Sequence, residues 1–156
     1  MDAELDFQIP GRVWEDVREV RSRIADTASG LPRDVAAATV MCASELVENA
    51  LKYGASVPGQ SEIAVRLHVT DDHVTVEVTN GVAAMDRLND LTARVTQIQQ
   101  ASDRHALYLA RLQELLDDPT TSGKLGLYRI GYEGQFDLSC SYADNIVSVR
   151  ATRGLV

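Results

Sequence analysis

Glu45 and Asn49 lie four residues apart in the stretch Ala43-Ser44-Glu45-Leu46-Val47-Glu48-Asn49-Ala50-Leu51-Lys52-Tyr53-Gly54. On a helix that spacing stacks the two side chains on one face. A carboxamide oxygen is a neutral, hard ligand that suits a hydrated magnesium ion, and a carboxylate beside it can orient or deprotonate a nucleophile. Lys52, three residues beyond Asn49, can reach toward the same edge. The polar side of an amphipathic helix shows the same spacing, so spacing alone leaves both readings open.

The elements that must position these residues are legible around them. From Arg33 to Tyr53 the chain is rich in Ala, Val, Leu and Met, with few charges before Glu45, which predicts a helix buried on most sides. Gly54 is expected to end it in the left-handed conformation that glycine tolerates. Upstream, Leu5–Ile9 alternates apolar and polar as a half-buried strand does, and Pro10-Gly11 breaks it. Val13, Val17, Val20 and Ile24 then recur at helical spacing over Arg12–Thr27, with Trp14 beside the stripe as packing surface. Ser29-Gly30-Leu31-Pro32 is a loop whose proline can open the next helix.

Downstream, Ile63, Val65, Leu67 and Val69 alternate with polar residues, Asp71-Asp72 supplies a turn, and Val74, Val76 and Val78 alternate again. This predicts an antiparallel hairpin with one polar face. Phe136–Tyr142 and Ile146–Thr152 repeat the pattern around Ala143-Asp144-Asn145. Between the hairpins, Met85, Leu88, Leu91, Val95 and Ile98 form one helical stripe. A second helix, capped by Ser102 or Asp103, carries Leu107, Arg111 and Leu115.

Composition bounds the function. The net charge of −8 argues against generic nucleic-acid or anionic-membrane binding, since both need a basic patch. No apolar stretch approaches the roughly 20 residues of a membrane span, and the N-terminus carries no signal-peptide pattern, so one cytoplasmic domain spanning residues 1–156 is expected. Cys42 and Cys140 are far apart, without metal-ligand neighbours, and read as buried free thiols. His68 and His73 flank a turn and read as solvent-facing strand residues rather than a metal site. Asn80-Gly81 is a turn signal in its own right, and Asn80 can accept a hydrogen bond through its side-chain oxygen.

The pattern Glu45-x-x-x-Asn49-Ala50-x-Lys52-Tyr53-Gly54 resembles the N box of the GHKL ATPase superfamily, in the branch that holds the anti-sigma-factor serine kinases. The resemblance implies that Glu45 acts as base and that Asn49 holds magnesium. Where the superfamily carries Asp-x-Gly-x-Gly, with an aspartate for the adenine amino group, this chain has Asn80 and Gly81 and no second glycine. Thr120–Ile130 resembles the second glycine box, Gly-x-Gly-Leu-Gly-Leu, and implies phosphate contacts at Ser122, Gly123, Lys124 and Gly126. For Lys124 a solvated loop lysine remains an equal reading.

The implied fold is an α+β two-layer sandwich: a mixed, mostly antiparallel sheet with helices on one face. A helical hairpin over Ala84–Asp118 replaces the superfamily's ATP lid. In this combination the chain is similar to the SiaB family of protein kinases, which act on STAS-type antagonists in bacterial partner switching. Two functions stay open. One is a regulatory protein that binds such a partner with a partly eroded nucleotide site, and the other an ATP- and magnesium-dependent serine/threonine kinase. A fixed hairpin is expected, packed on the domain or across a homodimer.

Overall fold

The computed structural model describes residues 2–9, 15–118 and 125–155. Its strands are β1 (Ala3–Ile9), β2 (Ile63–Val69), β3 (His73–Gly81), β4 (Asp137–Ala143) and β5 (Ile146–Gly154). They form one sheet in the order β1-β2-β3-β5-β4, and every pairing is antiparallel, so the mostly antiparallel sheet expected has no parallel part among the described residues.

Local chemistry sets both hairpins. At the first turn the Thr70 hydroxyl accepts from the amides of Asp72 and His73 at 3.2 and 3.1 Å. At the second, Ala143 faces Ile146 across Asp144 and Asn145, whose φ angles are 54° and 64°. Asp and Asn tolerate that left-handed pair better than bulkier residues, and its twist matches that of the strands.

Strand alternation separates two faces. Val65, Leu67, Val74, Val76, Val78 and Val149 are buried on one of them. On the other, Asp6, Arg66, Glu77 and Arg150 stand abreast on four strands. Arg66 reaches Asp6 at 3.4 Å and Arg150 reaches Glu77 at 3.0 Å, which keeps this face polar.

Helices α1 (Glu15–Thr27) and α2 (Arg33–Tyr53) pack on the apolar face. Helix α1 buries Val17, Val20 and Ile24; α2 buries Val35, Cys42, Leu46, Val47 and Ala50 among others. Each large side chain so buried contributes about 1.5–3 kcal/mol, which is what holds helices to sheet. The expected start of α1 at Arg12, the Pro10-Gly11 break and the packing of Trp14 lie outside the described residues. Cys42 is fully buried and free as expected, whereas Cys140 is only partly buried.

Three further helices complete the layer: α3 (Met85–Gln100), α4 (Arg104–Asp117) and α5 (Gly126–Tyr132). The hairpin of α3 and α4 is fastened to the domain. Leu88, Val95 and Ile98 are buried, and Gln99 donates to the Leu138 carbonyl of β4 at 2.8 Å. Asp103 caps α4 by accepting from the Ala106 amide at 3.0 Å. Arg104 then donates to the carbonyls of Gly131 and Phe136 at 3.1 and 2.9 Å and to Asp137 at 2.6 Å. Met85 departs from the stripe: it is 53% exposed beside Tyr142, because the first residue of α3 stands clear of the core that the later turns reach. None of the described residues of α4 is fully buried; Leu107 and Tyr108 pack on the core from partial exposure.

Among the described residues no helix is long and apolar enough to cross a membrane, and no cluster of metal-ligating side chains occurs. His68 lies 3.7 Å from Glu4 on the polar face of the sheet.

Candidate functional site

The C-terminal half of α2 forms one wall of two adjoining cavities that meet at Asn49. The first has a volume of about 360 Å³. Val78, Val147 and Val149 of the sheet form its apolar floor, and Leu88 and Leu91 bring α3 over it. The second, of about 260 Å³, is lined by polar groups: Glu45, Glu48, Asn49 and Lys52 from α2, facing Gly126 and Arg129 of α5. The four-residue spacing on α2 thus does what helical geometry requires, placing Glu45 and Asn49 on one edge. Among the described residues the Asn49 carboxamide has no hydrogen-bond partner.

Asn80 lies on the wall of the first cavity and is only 8% exposed. Its Nδ2 donates to the Gly81 carbonyl at 2.9 Å. That commitment leaves Oδ1 as the atom able to accept from a ligand, the same polarity an aspartate would offer. Gly54 explains the crowding here. Its φ and ψ are −80° and 169°, extended rather than left-handed as the sequence led us to expect. What excludes a side chain is proximity: a Cβ would overlap the Ala50 carbonyl and stand 2.7 Å from Asn80 Nδ2. Gly81 continues β3 instead of turning, and the Ala55 amide donates to its carbonyl at 2.8 Å. A Cβ there would collide with Ala55 and Val57, so Gly81 serves close backbone approach and does not line either cavity.

The electrostatics centre on Glu45. Its carboxylate accepts from Arg129 Nη1 at 3.3 Å, and Arg129 Nε is held on its other side by Glu133 at 2.6 Å. Burial raises the Glu45 pKa, the neighbouring Glu48 raises it further, and Arg129 and Arg21 oppose the rise without cancelling it. A carboxyl so tuned is a stronger proton acceptor than a solvated one once ionised. Gly126 has no room for a side chain: a Cβ would overlap Glu45 Oε2. Burial and the Glu45 charge raise the pKa of the adjacent Cys42 thiol as well, which keeps it protonated and inert.

Helix α3 presents a charged edge to the first cavity, carrying Asp86, Arg87, Asp90 and Arg94. Arg94 donates to Asp90 at 3.0 Å and to the Tyr128 hydroxyl at 3.3 Å. Tyr128 in turn donates to Gln97 at 2.7 Å, and the Arg94 and Arg111 guanidinium groups lie 5.8 and 5.5 Å from its ring centre. One buried tyrosine of α5 therefore ties α3 and α4 together beside the site.

Glu45, Asn49 and Gly126 line the polar cavity, Asn49 and Asn80 line the apolar one, and Gly81 lines neither. Ser122, Gly123 and Lys124 lie outside the described residues. Sequence reasoning passed over Arg129, Arg87 and Arg94. Arg129 carried one usable signal, since three residues after Gly126 it shares that residue's helical face. The arginines of α3 read as a solvated side, and nothing local distinguishes a charge over a cavity from one over water.

A family model for the histidine kinase-like ATPase domain matches residues 13–129, a span that includes every candidate residue named above. Among curated proteins no sequence matches the chain.

Proposed function

The chain belongs to the histidine kinase-like ATPase family, and from that premise we propose that it is a regulatory protein that binds ATP with magnesium in the two joined cavities and acts on a protein partner. GHKL-type domains of this kind generally bind ATP with magnesium. The observation that carries the reading is Asn80: it lines the apolar cavity with Nδ2 tied to the Gly81 carbonyl, which leaves its oxygen to act as an acceptor. That suits the amino edge of a purine, so the missing aspartate does not remove the contact it would make.

The residues present fit the phosphate side too. Asn49, whose side chain has no hydrogen-bond partner among the described residues, lines both cavities, and its oxygen is the ligand that would hold the metal. When bound, magnesium neutralises phosphate charge. Lys52 and Arg129 line the same polar cavity and add positive charge for the terminal phosphate. In the kinase form of the reading, Glu45 accepts the proton of a partner's serine or threonine hydroxyl. The hydroxyl oxygen bonds to the terminal phosphorus as the bond to the bridging oxygen breaks, and ADP leaves. The partner class we propose is a small STAS-type antagonist.

A specific observation favours a second reading, in which the fold binds its partner without phosphoryl transfer. Glu45 is engaged by Arg129, and the backbone at Gly81 is packed against Ala55 and Val57 where the superfamily's glycines approach the nucleotide. Calorimetry with ATP and magnesium, followed by transfer of labelled phosphate to a STAS-type protein, separates the two. Saturable binding that Asn49→Ala abolishes supports the nucleotide site. Binding without transfer leaves the partner-binding reading, and no binding of ATP refutes the nucleotide site.

A further inference from the structure

Strands β1 and β4 are the two edges of the sheet, and they differ in charge. Along β1 stand Glu4 and Asp6. Pairing two copies of that strand antiparallel about its middle would set Asp6 against Asp6, or Glu4 against Asp6, and like charges on an edge strand guard against such contacts. Strand β4 carries one charge, Asp137 at its start, followed by Leu138-Ser139-Cys140-Ser141-Tyr142-Ala143 with no lysine, arginine or proline. Ser139, Ser141, Tyr142 and Ala143 are exposed.

Backbone direction shows which groups this edge offers. Successive residues of a strand turn their N–H and C=O groups to opposite sides. The two-residue turn at Asp144-Asn145 makes Ala143 and Ile146 a hydrogen-bonded pair, so Ala143, Ser141 and Ser139 face β5. Leu138 faces the other way, and its carbonyl accepts from Gln99 of α3 at 2.8 Å. Cys140 and Tyr142 share that outward direction, and among the described residues no backbone group beyond the edge pairs with theirs. Tyr142 shares a sheet face with the partly exposed Cys140, and its hydroxyl donates to the sulfur of the exposed Met85 at 3.7 Å.

We propose that β4 is an interface between two copies of this chain, which join edge to edge across a twofold axis at Ser141 and continue the sheet from one subunit into the other. A second copy is the occupant because the strand is its own complement. Gln99 already holds the Leu138 carbonyl, so the register that uses the remaining outward groups sets Cys140 opposite Tyr142 of the second copy, and Tyr142 opposite its Cys140. Each such pair exchanges N–H···O=C bonds in both directions. No like charges meet, since Asp137 falls opposite Asn145 of the turn. Tyr142 comes to lie beside Cys140 of the second copy, which withdraws both side chains from water. Neither residue lines a cavity, so this interface is independent of nucleotide binding.

The test uses the full chain. Sedimentation velocity should show a dimer that dissociates on dilution, and the Cys140 and Tyr142 amides should exchange slowly in the dimer and fast in the monomer. On the axis the two Ser141 residues form a non-hydrogen-bonded pair with Cα atoms about 4.5 Å apart, within reach of a disulfide. In a Cys140→Ser background, Ser141→Cys should therefore oxidise to a covalent dimer much faster than Asp6→Cys on the opposite edge. Ser141→Lys, which sets two ammonium groups against each other from an exposed position, should weaken the dimer several-fold. A chain that stays monomeric at millimolar concentration overturns the proposal. So does Ser141→Cys that oxidises no faster than Asp6→Cys, or a dimer indifferent to Ser141→Lys. A monomer whose Cys140 and Tyr142 amides become protected only on addition of a STAS-type protein also overturns it, and gives the edge to that partner.

Discussion

Arg129 Nη1 lies 3.3 Å from Glu45 Oε1, joining α5 to α2 across the polar cavity between residues 84 positions apart in the chain. The pair does not make Glu45 an ordinary surface acid. Burial and Glu48 outweigh Arg129 and Arg21, so the carboxyl holds its proton to higher pH in the folded protein than in the unfolded chain. The contact fixes where the carboxylate sits, while its surroundings keep it basic.

That raised pKa has a stability consequence with a definite sign. Between the unfolded and folded pKa values the native state binds more protons, so stability falls as pH rises through that interval. At neutral pH Glu45 therefore costs stability. We expect Glu45→Gln, which can still accept from Arg129, to melt at or above the temperature of the parent at pH 7. The advantage should fade as pH falls below the unfolded carboxylate range. A parent protein more stable than Glu45→Gln at pH 7 would show that the Arg129 pairing outweighs burial.

Gly126→Ala should destabilise the protein by about 1–3 kcal/mol, because the added methyl overlaps the Glu45 carboxylate. Alanine is otherwise the better helix former, by roughly 1 kcal/mol. In a Glu45→Ala background the same substitution should therefore become neutral or stabilising. Denaturant unfolding of the two single variants and the double variant measures the coupling. Additive effects would place the carboxylate elsewhere.

Asn80→Asp restores the residue type of the superfamily motif, yet we expect it to destabilise this chain. It replaces the donor to the Gly81 carbonyl with an acceptor, at a position 8% exposed. A lost hydrogen bond and a buried acceptor left facing a carbonyl cost about 1–3 kcal/mol, more if ionised. Thermal melting at pH 7 checks it, and an unchanged melting temperature would mean the local backbone accommodates either residue.

The helical hairpin should behave as a fixed part of the domain. Hydrogen exchange of the free protein is expected to be slow along the buried face of α3. Arg104→Ala, which removes the donor to Gly131, Phe136 and Asp137, should speed exchange in α4 with little change in α2. The cost should be about 1–3 kcal/mol for carbonyls left without their donor. Fast exchange throughout both helices of the parent protein would instead describe a mobile cover.

Much of the fold follows from short-range pattern. Alternation at Ile63–Val69 and His73–Val78 requires one apolar face, and the Ala-, Val- and Leu-rich run of α2 requires burial. Asp144-Asn145 specifies its turn through the conformations those two residues tolerate. The Glu45–Asn49 edge is equally local, since a helix repeats every 3.6 residues whatever surrounds it. These features depend on residues within one or two turns of each other, and so they are legible without a partner.

What tertiary structure alone decided involves residues brought together from far apart. Strand β5, last in the chain, inserts between β3 and β4, which puts Val147 and Val149 under the first cavity. Gly54 looked like a left-handed helix stop and is instead the space that Asn80 occupies. Arg87 has no local signature, because a guanidinium on a polar helix face has the same sequence context over water as over a cavity, and Arg129 has only its helical spacing from Gly126. Only the packing of α3 and α5 against α2 gives them something to face. The sequence by itself determined the elements and one chemical edge; which side chains confront that edge was fixed by non-local packing, whose geometry no local periodicity encodes.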